Sequence, residues 1–261
     1  DKGATVEKAK PADKAAAAAT PAASGDKVKL EFYVMSQCPY GVKVMTTAAE
    51  LVKEIGGNVD LSFEFIGDDL GGGKFKSMHG ESEIQGDILE VCAARLFPEN
   101  YKYLDFYTCV NKNYRKLPEG WEACATSSGV DVAKLKACYE GADGKKFLAE
   151  SIKKAKDQRA TGSPTIFLDG KRYSGGRETA DFVRAICDAT KGAKPEACKN
   201  LPEPLKFTMT ILSDKRCTEC EARVKRMEGQ LTSMFPGMTM AKLDYKDAKG
   251  TALYASTKLT T

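Results

Sequence analysis

Near the front of the chain Val28, Leu30, Phe32 and Val34 alternate with Lys29, Glu31 and Tyr33, the period of a half-buried strand. Past Cys38 the period lengthens. Val42, Met45, Ala49 and Val52 recur at helical spacing and Gly56-Gly57 supplies the stop. Val59, Leu61, Phe63 and Phe65 then alternate again, completing a strand, helix, strand unit. From about Lys74 to Ala160 the periods are helical, as in Phe147, Leu148, Ile152 and Ala155, with breaks at Pro98 and Pro118. Thr165 to Leu168 reads as an apolar strand, Asp169-Gly170 as a tight hairpin turn, and Lys171-Arg172-Tyr173 as the returning strand. A helix over Thr179 to Ala189 follows.

Two prolines between Lys199 and Pro204 introduce a second unit. Phe207, Met209 and Ile211 alternate, and Cys217-Thr218-Glu219-Cys220 opens a helix with Val224, Met227, Leu231 and Phe235 on one face. Met238 to Tyr245 is a further strand, so this unit repeats the opening of the first. The expected class is α/β. Residues 28–198 form one domain with a helical insertion over about 74–160, and residues 205–261 form a partial βαβ unit. Residues 1–27, built of Ala, Lys, Pro, Asp and Gly without an apolar period, read as a disordered tether.

Composition narrows the function classes. At 261 residues and 42% hydrophobic the chain can bury at least one full core. Its 40 basic and 36 acidic side chains give a formal charge of +4, too balanced to argue for nucleic acid or a membrane surface. No segment approaches the roughly 20 apolar residues needed to span a bilayer. A chain opening on Asp1 is what removal of an export or lipid-anchor segment would leave.

The chemistry gathers on sulfur. Cys38 opens the first helix, where unpaired N–H groups and the positive end of the helix dipole favour thiolate, the nucleophile of disulfide exchange. Pro39 suits the first turn, whose N–H would have had no partner. Nine cysteines are many for a reducing cytosol, and with His79 the single histidine they fit stapling better than metal binding. Position along the chain suggests Cys92 with Cys109, Cys124 with Cys138, Cys187 with Cys198 and Cys217 with Cys220, leaving Cys38 unpaired. The six cysteines outside Cys38 and the C-x-x-C admit fifteen connectivities. Cys217 and Cys220, at a helix start, suit a redox dithiol, with soft-metal binding or a structural bridge as rivals. No cofactor or resident metal is expected. His79 is read as ordering a loop, with proton relay to Cys38 as the alternative. Trp121 is read as an aromatic anchor.

Cys38-Pro39-Tyr40 resembles the C-P-Y-C active site of the thioredoxin superfamily, with Gly41 in place of the resolving cysteine. Gly162-Ser163-Pro164-Thr165 looks like that superfamily's cis-proline loop, which lies beside the active thiol and offers backbone groups to an extended substrate. The insertion looks DsbA-like and, through Met78-His79-Gly80-Glu81, Cys92, Cys109, Cys124 and Cys138, is similar to the gamma-interferon-inducible lysosomal thiol reductase family. The resemblance implies a thioredoxin-like fold with a helical insertion, followed by a partial thioredoxin-like unit. It implies a thiol-disulfide oxidoreductase acting on protein or small-molecule disulfides with a redox partner protein; the cysteine count and the tether add the expectation of an exported, periplasmic or extracytoplasmic and bacterial chain. Cys38 would attack, resolved by Cys217 and Cys220. Pro39 and Tyr40 would shape the site, and Ser163 and Pro164 would dock substrate backbone. A peptide-binding module with a degenerate site and a soft-metal carrier are the rival readings.

Overall fold

In the computed structural model, which describes residues 27–257, the chain begins with β1 (Val28–Val34), α1 (Pro39–Ile55) and β2 (Val59–Phe65). β1 and β2 pair in parallel, as a strand, helix, strand unit requires. β5 (Thr165–Leu168) runs antiparallel to β1 and turns through Asp169 and Gly170, both at positive φ, into the short β6 (Lys171–Arg172). The resulting sheet has the order β2-β1-β5-β6, and α7 (Thr179–Ala189) closes the domain. Cis-proline strand and thiol helix thus meet at one end of the central strand.

β1 differs from its expected half-buried character. Tyr33 is fully buried and Glu31 nearly so, because helices cover both faces of the sheet. On one face Phe32 stacks on Phe63 and meets Phe182 of α7. On the other Tyr33 packs edge-on against Phe167.

The segment between β2 and β5 opens with a hairpin, β3 (Asp68–Gly71) and β4 (Lys74–Lys76). Helix begins only afterwards, with α2 (Glu81–Leu96), α3 (Tyr103–Val110), α4 (Trp121–Ser127), α5 (Val132–Glu140) and α6 (Ala142–Asp157). The expected helical start at Lys74 is therefore corrected: Lys74 to Lys76 is strand. Leu148, Ile152 and Ala155 are the buried face of α6. Trp121 is buried edge-on against Tyr139, an anchor of this layer. Glu64 on β2 holds Arg95 of α2 and Lys154 of α6, bonding the helical layer to the sheet.

Two disulfide expectations are overturned. Cys92 pairs with Cys138 and Cys109 with Cys124. Cys92 is fully buried and bonds across to α5, while α4 brings Cys124 beside α3. Cys187–Cys198 and Cys217–Cys220 are bonded, and Cys38 is the free cysteine among the described residues.

β7 (Phe207–Ser213), α8 (Thr218–Met234) and β8 (Met238–Asp244) follow, with β7 and β8 parallel in a two-stranded sheet, then α9 (Ala248–Thr257), which periodicity missed. The expected tether at residues 1–27 lies, but for Lys27, outside the described residues.

Candidate active site at Cys38

Between β1 and α1 four residues turn the chain. Cys38 N–H donates to the Met35 carbonyl (3.1 Å) and the Cys38 carbonyl accepts from Val42 (2.9 Å), which makes Cys38 the N-cap of α1 with Pro39 behind it. The first amides of a helix have no intrahelical acceptor, so partial positive charge gathers around the sulfur.

Ser163 approaches from the other side. The Ser163–Pro164 bond is cis, and the Cys38 Sγ lies 3.5 Å from the Ser163 carbonyl oxygen. Ser163 Oγ accepts the Met35 N–H at 3.0 Å. Two loops 125 residues apart are thus joined around the thiol. Cys38 is 9% exposed, bounded by the apolar cluster of Tyr33, Met35, Ile66, Ala155, Ala160 and Phe167. Pro39 and Tyr40 face solvent, Tyr40 at 67% exposure.

Gly41 is part of this closure. A Cβ at position 41 would stand 2.5 Å from Ser163 Oγ and 3.0 Å from the Met35 carbonyl oxygen. The seryl hydroxyl fills the space a side chain at position 41 would need.

Of the further residues at the site, sequence reasoning named His79 but not Gln37, Glu83 or Asp87. Gln37 Nε2 donates to the Leu117 carbonyl (3.2 Å), next to a second cis bond, Leu117–Pro118. Asp87 Oδ1 accepts the Ser36 N–H (2.9 Å) and Glu83 Oε1 accepts the Gln37 N–H (3.1 Å). His79 Nδ1 lies 2.7 Å from Glu83 Oε1, and the His79 backbone N–H donates to Glu83 Oε2, so His79 orders the start of α2. Burial, reinforced by the neighbouring Glu83, pushes the Asp87 carboxyl well above the usual range. Burial, then Asp87 and Glu83, do the same to Glu90. In sequence, acids at this spacing read as a solvated helix face. The absence of a lysine or arginine from Glu81 to Ala94 was the one available signal.

Cys217 caps α8 as Cys38 caps α1, and its Sγ accepts the Cys220 N–H at 3.2 Å. The pair is bonded to itself and so offers no thiolates for a metal. No hydrogen bond or ion pair among the described residues joins this loop to the Cys38 loop. The cis-proline residues are brought to Cys38, and the C-x-x-C stands on its own unit.

Residues 29–128 match the family model of the gamma interferon inducible lysosomal thiol reductase, and residues 94–187 match that of the DSBA-like thioredoxin domain. A curated relative, the gamma-interferon-responsive lysosomal thiol protein of Arabidopsis thaliana, is 29% identical over 196 residues, spanning 69% of this chain and 78% of its own. Among solved structures, reduced DsbA from Mycobacterium tuberculosis is similar with TM-score 0.51 at 16% identity, over 70% of this chain and 93% of that one. Reduced DsbG from the same organism gives TM-score 0.50 at 17% identity, over 70% and 89%. At these identities the two structures speak for the fold.

Proposed function

We propose, from the premise that residues 29–187 form a thioredoxin-superfamily domain of the DsbA-like and lysosomal thiol reductase-like kind, that this chain is an exported thiol-disulfide oxidoreductase working through Cys38. One observation carries the reading: a free cysteine caps α1 with its sulfur 3.5 Å from the carbonyl of a cis-proline loop. In the proposed step the Cys38 thiolate attacks one sulfur of a substrate disulfide. That S–S bond breaks, the other sulfur leaves as thiolate, and Cys38 holds the mixed disulfide. Pro39 starts the helix that activates the sulfur, Tyr40 offers an exposed aromatic face, and Ser163 and Pro164 present backbone to an extended substrate.

Gly41 supplies no resolving thiol. We assign resolution to Cys217 and Cys220: in its dithiol form one of the pair attacks the substrate sulfur of the mixed disulfide and Cys38 leaves as thiolate, then the other attacks its partner's sulfur, closing the pair and releasing the substrate thiol. Two electrons pass to substrate, and a dithiol reductant, a partner protein, must reopen the pair. Cys38 free with Cys217–Cys220 bonded is the state such a turn leaves behind. We read residues 28–198 and 205–261 as two units that would have to approach each other. Four disulfides favour an oxidising, extracytoplasmic compartment, which we take to be a bacterial periplasm. Turnover of a peptide disulfide with an added dithiol reductant tests the relay. Cys220→Ser is expected to stall at a mixed disulfide on Cys38 or Cys217, and unchanged turnover would remove the relay.

A peptide-binding module without turnover is the second reading, favoured by the limited exposure of Cys38 and by the hydroxyl that fills the place of the second thiol. Such a module would hold extended peptides equally well after Cys38→Ser.

A further inference from the structure

Three carboxyl groups, those of Glu83, Asp87 and Glu90, share one face of α2, and none of these residues is more than 1% exposed. No lysine or arginine bonds to any of them among the described residues. The one basic side chain hydrogen-bonded to them among the described residues is His79, at the outer end beside Glu83. Neither Glu90 carboxyl oxygen has a hydrogen-bond partner among the described residues.

The outer two acids hold the turn that precedes Cys38. Three consecutive amides in that turn donate to side chains rather than to a neighbouring strand: Met35 to Ser163 Oγ, Ser36 to Asp87 Oδ1, and Gln37 to Glu83 Oε1. Ser36 Oγ adds a bond to the Glu83 carbonyl at 3.2 Å. A buried amide without an acceptor is costly, so the turn keeps its shape only while both the cis-proline loop and α2 supply acceptors. Gly86 lets the two surfaces meet. A Cβ there would lie 2.6 Å from Ser36 Oγ.

We propose that Glu83 and Asp87 are positioning residues for Cys38: from α2 they hold the amides of Gln37 and Ser36 and so fix the turn that aims the thiol at the Ser163–Pro164 loop. The proposal builds on the reading of Cys38 as the reacting thiol. Asp87 needs only one oxygen as acceptor, and burial, reinforced by Glu83, raises its carboxyl well above the usual range. An amide in its place would retain the bond. The helical insertion thus supplies one wall of the thiol turn and the cis-proline loop supplies the other.

The test uses the full-length chain with its disulfides intact, measuring the rate of Cys38 alkylation by iodoacetamide across a pH series and the rate of exchange with a peptide disulfide. Asp87→Asn is expected to keep the wild-type rate and profile. Asp87→Ala is expected to slow alkylation about tenfold or more and to displace the profile, in a chain that still melts cooperatively. Gly86→Ala perturbs the same contact without touching an acid, so it serves if Asp87→Ala fails to fold. It is expected to slow the reaction, and Ser36→Gly in the same chain to restore it. Wild-type rates in folded Asp87→Ala and Gly86→Ala chains would overturn the proposal, as would an Asp87→Asn chain as slow as Asp87→Ala. A wild-type chain that alkylates at Cys38 yet never exchanges with disulfides would instead overturn the functional reading, because alkylation needs no substrate.

Discussion

At Gly41 a glycine takes the position of a second thiol, and the hydroxyl of Ser163 fills the space while accepting the Met35 amide. Gly41→Ala would drive a methyl into that hydroxyl, with an expected loss of about 1–3 kcal/mol in urea unfolding and slower Cys38 alkylation. The buried acids give a pH signature of opposite kind to the usual surface carboxylate. Burial and neighbouring carboxyl groups raise Asp87 and Glu90 in the fold above their unfolded values. Their favourable contribution is then complete below about pH 4, where the unfolded groups are protonated too, and is lost as pH rises through the folded values. Glu90→Met removes one such group, so its advantage over wild type in urea unfolding is expected to grow between about pH 4 and about pH 8. A constant difference would contradict the raised Glu90 carboxyl. Glu64 behaves in the reverse sense. Burial opposes its ionisation, but Lys154, Ser151 and Arg95 outweigh that and hold it below its ordinary value, so its contribution is lost as pH falls. Residues with a local signature were legible: Cys38 at a change of period, Pro39 behind it, Ser163-Pro164 before a strand. Glu83 and Asp87 were not, because only the fold reveals that their helix face meets a loop instead of water.

Among the elements, α2 ties the thiol turn to the sheet and to the helical layer. Its first turns hold the thiol turn, Arg95 near its end reaches Glu64 on β2, and Cys92 bonds it to α5. The periods of α1, β2 and α7 stood out in the sequence because each buries one consistent face. The β3–β4 hairpin is exposed, so no apolar alternation announced it. Disulfide partners followed helix faces, which sequence order does not encode: Cys92 lies closer along the chain to Cys109 but faces Cys138. The Cys109–Cys124 bridge closes a separation of 15 residues, and Cys109→Ala with Cys124→Ala is expected to cost about 3 kcal/mol in urea unfolding. Cys38 reactivity should survive that change under conditions where the chain stays folded, since neither cysteine touches the thiol turn.

Across the whole molecule, burial is uneven. Beyond Pro195 no apolar side chain among the described residues is fully buried, and the helix α8 buries none. A two-stranded sheet with such a helix has little hydrophobic stabilisation of its own. Amides of residues 207–257 are therefore expected to exchange with deuterium faster than those of β1 and β2, and equal protection would contradict two units of unequal stability. The proposed relay requires that second unit to bring Cys217 and Cys220 to Cys38. All of this turns on Cys38 acting as a nucleophile, and trapping tests that most directly. The native chain is mixed with a peptide carrying one internal disulfide, quenched in acid and mapped by mass spectrometry. The expected result is a peptide joined to Cys38, absent in Cys38→Ser, with the other bridges intact. No adduct, or the same adduct in Cys38→Ser, would contradict it.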